Sequence, residues 1–421
     1  MAASRFPRSF VLAAALAGLL ARLAFGLGYW VNESLNRDEV EYMSLARSLV
    51  SGRGYIYDEH VAKGPVEPFG RAPGYPAFLA LVGGGTPESI AAVPKSVKIA
   101  QSFVGAAGIV LIALAAFRMG GRRPAMAAAA IAAVYPPLVW VAGYAYSESV
   151  FWPAGLALGL VVSQTLDRPA STMWKWAMLC GVLTGGAILL RAATLLYVPL
   201  AAGWFAWKRQ WLSVIAFAIG LTLALTPWTI RSTSHHGRFV IVASDGGVTF
   251  WTGNNPLATG EGDMAANPHL KLANQTLRER YPTLNEEQME PIYYRESLTW
   301  IRQHPLDWLW LMAKKVFYLV VPIGPSYTFA HSTRYYAASV LSVGLILPLA
   351  ALGFWRLGPR RGRLAGIWLL AAAAVATCLV FFPQERFRIP VLDPALILCA
   401  SGVWLPGRWR PADESVSHVA A

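Results

Sequence analysis

Apolar runs of roughly membrane-crossing length recur along this 421-residue chain from about residue 10 to residue 405. Short arginine-rich joints and two long polar stretches separate them. A crossing helix needs roughly 20 apolar residues, fewer where protein covers part of it. The pattern predicts spans over 9–30, 98–118, 124–142, 148–166, 176–190, 192–207, 211–230, 335–355, 364–383 and 389–405. The run 176–207 holds a single charge, Arg191. As one helix it would be about 48 Å long, so two short helices meeting at Arg191 fit better. Segment 308–323, "WLWLMAKKVFYLVVPI", is set apart because Lys314 and Lys315 would cost about 2.5–3.5 kcal/mol each at mid-bilayer. Laid in the interface or as a re-entrant piece, the same lysines reach headgroups.

The expected fold is an all-α polytopic membrane protein. It has about ten transmembrane helices, one interfacial or re-entrant helix and two extracytoplasmic loop regions. Three parts follow: an N-terminal transmembrane module over 1–230 containing the first outer loop (31–97), a loop region over 231–307, and a C-terminal transmembrane module over 308–421. The first span reads as uncleaved, because its apolar run is long and lacks a small-x-small cleavage site.

Composition agrees with this layout: 55% of residues are hydrophobic and only 14% charged, against about 25% charged in soluble domains. A soluble enzyme, a coiled coil and a disordered chain are excluded. The net charge of +13 would suit nucleic acid, but many of the cations sit in the joints: Arg5 and Arg8; Arg118, Arg122 and Arg123; Lys208 and Arg209; Arg356, Arg360, Arg361 and Arg363; Arg408 and Arg410. That is the cytoplasmic-loop pattern, so no nucleic-acid partner is expected and both termini fall inside. The three cysteines all lie in apolar runs, which argues against disulfides and thiolate metal sites. No nucleotide-binding glycine motif stands in a strand–glycine–helix context.

The polar chemistry gathers on one face. In "LNRDEVEYMSLARSLVSGRGY" (35–55), Tyr42, Leu45, Ala46 and Leu49 form an amphipathic stripe, so an interfacial helix is expected over 35–49. Asp38 and Glu39 open it, where backbone N–H groups favour negative charge. An acidic helix start explains such a pair without any chemistry. A base facing a bound acceptor is the functional alternative. "GRAPGYPAFLAL" (70–81) carries two prolines that interrupt helix formation and reads as a partly extended strap or a re-entry cap, with Arg71 available to a phosphate or to Glu39. In "YAYSESVFWP" (144–153), Ser147 suits an N-cap, and Glu148 enters the membrane boundary, where an acid needs a partner or water. Arg191, Arg386 and Arg388 supply the opposite sign. An arginine fork suits phosphate, with pairing to Glu148 or Glu385 as the structural alternative. Segment 225–263 alternates turns with the strand-like runs "FVIVA" and "VTFW". Its adjacent His235 and His236 lack metal-ligand spacing to any nearby carboxylate.

The ordered set "DE.EY..LARSLVSGRGY", "GRAPGYPAFLAL", "YPPLVWVAGYAYSES", "LTGGAILLRAATLL", "TPWTIRS", "FWTGNNPLATG" and "ERFRIPVLDP" resembles the bacterial membrane glycosyltransferases of the GT-C class. The resemblance is to the family 39-like group related to protein O-mannosyltransferases and to the lipid A aminoarabinose transferase, and covers roughly 35–394. It implies a bacterial inner-membrane enzyme that takes one sugar from a polyprenyl-phosphate carrier and delivers it outside, with inversion. By the same resemblance Asp38 is the base candidate, Glu39 the neighbouring acid, and Glu148 the acid near the acceptor or a metal. Arg191 and Arg386 lie by donor phosphate, as Arg71 does in the residue-level reading. No cofactor is implied outright, a divalent cation being the one candidate, and the acceptor is unassigned. The sequence departs from the family at Ala192, where proline is usual, and at Phe387, where tyrosine is usual. The competing reading is a transporter or flippase for a lipid-linked sugar, which would leave both outer segments without a role.

Overall fold

The computed structural model describes residues 5–58, 71–262, 267–284, 288–321 and 333–406, apart from the side chains of 334–336. Arg408 and Arg410 of the last basic joint lie outside these residues. In chain order the helices are α1 (Arg8–Leu23), α2 (Arg37–Val50), α3 (Gly74–Leu81), α4 (Lys95–Gly120), α5 (Arg122–Val134) and α6 (Pro136–Trp140). They continue with α7 (Glu148–Leu166), α8 (Ala170–Leu190), α9 (Tyr197–Trp207), α10 (Trp211–His236), α11 (Gly246–Gly253) and α12 (Pro268–Glu279). Last come α13 (Glu290–Gln303), α14 (Pro305–Val320), α15 (Thr333–Leu357), α16 (Ala365–Val380), α17 (Glu385–Arg388) and α18 (Leu392–Ser401).

Every expected span is largely helical, but among the described residues six helical stretches, or seven if the bent pair 122–143 counts as one, are long and apolar enough to cross by themselves. This is fewer than the ten expected. The regions around α9 and α18 are shorter apolar helices, and one 44-residue stretch, Ala337–Val380, takes in both α15 and α16. That length exceeds the roughly 20 residues one crossing needs, and Arg360, Arg361 and Arg363 sit in the 3-10 turn between the two helices. The break at Arg191 is present: α8 ends there and a 3-10 turn leads into α9.

Two apolar cores hold the bundle. One joins α1, α4, α5, α7, α15 and α18 around Ile109, Leu138, Trp152 and Leu398. The other joins α7, α8, α9, α10 and α16 around Phe151, Tyr197, Phe205 and Phe217. Small residues let the helices of the second core close up. A Cβ at Gly181 would meet the Phe217 carbonyl, and one at Gly220 would meet that of Met178. Leu12, Leu16 and Leu20 on α1, and Leu212, Ile215, Ile219 and Leu223 on α10, remain exposed, as suits a lipid-facing surface.

Three local expectations are corrected. "GRAPGYPAFLAL" is no strap beyond residue 73: α3 begins at Gly74, and Pro76 lies in its first turn, where no intrahelical N–H is needed. "VTFW" lies in α11 and "FVIVA" forms no strand; α11 packs with α12 and α13 around Trp251, Leu277 and Tyr293, so their apolar faces serve helix packing. Lys315 does not reach toward a headgroup. It is fully buried, and its Nζ donates to Asn254 Oδ1 at 3.1 Å and to the Leu379 carbonyl at 2.9 Å.

Candidate functional site

The interfacial helix starts as its sequence requires. The Asn36 side chain accepts the Glu39 N–H at 3.2 Å, and Glu39 Oε2 accepts the Asn36 N–H at 3.0 Å, which closes a capping box. Glu39 Oε1 also accepts the Ala145 N–H at 2.9 Å. This buried carboxyl therefore joins α2 to the 144–147 segment. Burial pushes it up to about 7, against the opposing hydrogen bonds from Asn36 and Ala145.

One residue earlier, Asp38 faces two guanidinium groups. Arg71 Nη2 lies 2.9 Å from Oδ1, and Arg386 Nη2 lies 2.5 Å from Oδ2. Burial alone would raise this carboxyl, but Arg386 and then Arg71 outweigh it and hold Asp38 well below the usual carboxylate range. Three segments far apart in the chain thus converge on a single side chain.

The two arginines are held differently. Arg71 Nε donates to Glu41 Oε2 at 2.7 Å, and its Nη2 also reaches that oxygen. Its guanidinium lies over the Tyr42 ring, 4.9 Å from the centroid. Glu41 in turn takes Arg37 Nε at 3.2 Å. Arg386 has fewer polar ties: Asp38, and Gln384 Oε1 at 3.1 Å. Its other neighbours are aromatic faces, Tyr146 and Phe387, each 5.0 Å from the guanidinium carbon.

Glu148 and Arg191 form a neighbouring pair, with Arg191 Nη1 3.1 Å from Glu148 Oε2 and 2.9 Å from Ser147 Oγ. Arg191 also lies over the Phe387 ring, 5.5 Å from its centroid, so one ring supports Arg191 and Arg386 together. Phenylalanine can do this without the hydroxyl that tyrosine would bring. Arg388 stands apart. It is buried and donates Nη1 to the Val321 carbonyl at 3.0 Å, just past the end of α14, where carbonyls lack intrahelical donors.

Two acids that spacing along the chain did not single out belong here. Glu41 anchors Arg71, and Asp245 stands at the start of α11. Burial pushes Asp245 up to about 6, with Arg71 opposing and Glu41 and Asp38 adding to the rise. The second polar segment reaches the site by close contact: a Cβ at Gly253 would run into the Phe381 carbonyl, and Gln384 Nε2 donates to the Gly262 carbonyl at 2.9 Å. Among the described residues, no group of three or more His, Cys, Asp or Glu could hold a metal ion.

No family model and no curated protein sequence matches the chain. Solved structures do match its fold. The ArnT structure from Cupriavidus metallidurans bound to undecaprenyl phosphate aligns with 94% of this chain and 59% of its own length, at 14% identity and a TM-score of 0.52. The Archaeoglobus fulgidus oligosaccharyltransferase in its apo form aligns with 94% of this chain and 50% of its own, at 14% identity and a TM-score of 0.56. Its complex with zinc and sulfate gives 13% identity and a TM-score of 0.55. The chain thus spans between about half and three-fifths of the length of these structures and shares the fold of the part it covers.

Proposed function

We propose that the chain is a membrane glycosyltransferase. It would move a single sugar from a polyprenyl-phosphate carrier to an acceptor hydroxyl at the extracytoplasmic face. The observation that carries this is Asp38, drawn by α2 into contact with Arg71 and Arg386 at the polar end of an apolar bundle, with Arg191 beside them. A lipid-linked donor arrives through the membrane, so its sugar–phosphate bond meets the protein at such a boundary. The fold shared with ArnT, solved with undecaprenyl phosphate, and with an oligosaccharyltransferase adds support at the level of architecture.

In this reading Asp38 takes the proton of the acceptor hydroxyl as its oxygen bonds to the anomeric carbon. The bond from that carbon to the phosphate oxygen breaks, its electron pair leaves with the phosphate, and Arg386 and Arg191 take up the growing charge. Arg71, already engaged by Glu41, orients Asp38 rather than binding phosphate. Glu39 ties α2 to the acceptor side, and Glu148 holds Arg191. The segments 31–97 and 231–307 lie outside in this scheme.

The test supplies purified enzyme with radiolabelled sugar on a polyprenyl monophosphate or on a nucleotide. The expected outcome is release of polyprenyl phosphate and labelled product from the lipid donor alone. Transfer from the nucleotide donor alone overturns the assignment, and binding or flipping of the lipid-linked sugar without bond cleavage favours a transporter.

A further inference from the structure

The two arginines on Asp38 differ in what else holds them, and the difference bears on when Asp38 can act as a base. Arg71 cannot leave easily. Its Nε and Nη2 are engaged by Glu41 as well as by Asp38, and the Tyr42 ring lies beneath it. Among the described residues Arg386 has one carboxylate partner and one amide partner, between two aromatic faces that allow a guanidinium to slide without losing its cation–π support. Its second face, Phe387, also carries Arg191.

We propose that Arg386 passes from Asp38 to the donor's phosphate when the donor binds, so that donor binding itself releases the carboxylate to accept a proton. The inference rests on the donor reading above. A carboxylate clamped by two guanidiniums is a poor base, since proton affinity and catalytic efficiency rise and fall together. In the resting site Asp38 is held well below its usual range, with Arg386 the larger of the two opposing influences. A phosphodiester donor brings one negative charge, and the phosphate gains a second as the sugar leaves. Arg386 is therefore drawn harder as the reaction proceeds, which favours the transition state over the ground state. Arg71, kept in place by Glu41, leaves Asp38 oriented after Arg386 departs. The chemical consequence is an order: donor first, then a competent base, so an acceptor arriving alone meets an inactive carboxylate.

A double-mutant cycle on the intact protein in detergent tests this, with a polyprenyl monophosphate as the probe and thermal melting as the check on folding. Asp38 competes with the probe for Arg386, so Asp38→Asn should bind it about tenfold tighter or more, the worth of one charge-assisted hydrogen bond. In an Arg386→Gln background the same change should have little effect. Asp38→Ser serves in the same cycle where the asparagine variant does not fold. Equal or weaker binding by the Asp38 variants overturns the exchange while leaving the donor reading intact. Equal tightening in both backgrounds also overturns it, because that is plain charge repulsion without exchange. No binding by any form, wild type included, sinks the donor reading and the exchange with it.

Discussion

Arg22 and Arg386 are the same residue type under different regimes. Arg22 lies in α1 with no exposed surface. Among the described residues its hydrogen-bond partners are carbonyls: Gly18 at 2.8 Å and Ala132 at 3.3 Å, with the Trp152 ring 5.9 Å away. The Ala132 carbonyl lies in the last turn of α5, which ends at Val134 with Tyr135 extended, so no intrahelical N–H follows to meet it. Arg386 instead ends on a carboxylate at the polar end of the bundle, with part of its surface open. A fully buried guanidinium bound to backbone carbonyls is out of reach, whereas one bound to a partly exposed carboxylate can be claimed by another anion. Arg22 thus serves a backbone carbonyl, whereas Arg386 belongs to the partly exposed ion-pair group around Asp38, the mouth of the candidate site.

Breaking the mouth at its centre has the largest consequence. Asp38→Asn keeps size and hydrogen bonding but removes basicity. Turnover at saturating donor should fall by roughly 10²–10⁴, the range for general base catalysis, with folding retained. Near-normal turnover would leave Asp38 as an ion-pair anchor only.

Arg191 and Arg22 set the two regimes against each other directly. Arg191→Ala should weaken polyprenyl-phosphate binding by about 1.5–3 kcal/mol, the worth of a charge-assisted bond, and lysine should restore part of it by keeping charge without the fork. Arg22→Met should leave donor affinity per folded molecule unchanged and cost about 1–3 kcal/mol of stability, because the Ala132 carbonyl loses its donor. A drop in donor affinity with Arg22→Met would erase the distinction.

The sequence revealed the frame more readily than the network inside it. Apolar runs marked the helices because burial in lipid demands them, and Arg191 marked a break because a 32-residue apolar run is too long for one crossing. The Asn36–Glu39 capping box, though a local device, escaped the reading of Asp38 and Glu39 as an acidic helix start. Glu41 and Asp245 were not legible as site residues. Glu41 meets Arg71 thirty positions away, and Asp245 reaches the same network from a helix start two hundred positions on. Such encounters depend on how helices pack and leave no mark on local spacing. Lys315 misled for a related reason: its cost in lipid was right, but Asn254 and a backbone carbonyl cover it within the protein.

Glu39 is the mouth residue that behaves like the buried ones, and it sharpens the comparison by the smallest effect. Its partners are backbone N–H groups and the Asn36 amide, with no guanidinium among its hydrogen bonds. In the folded protein it holds its proton up to about 7, while its ordinary value is 4.5. The folded state therefore binds this proton more tightly than the unfolded chain. The stabilisation that results is complete below the ordinary value and is lost as pH rises through about 7. Between pH 5.5 and 7 the wild type should lose about 1–2 kcal/mol of stability from this group, by linkage. Glu39→Gln keeps one acceptor, for either the Asn36 or the Ala145 N–H, and cannot ionise, so its melting temperature should lose that slope whatever its absolute value. Melting both proteins across this range decides the matter. Equal slopes would mean that Glu39 is ionised throughout, and would place it with Asp38 among the charged residues of the mouth.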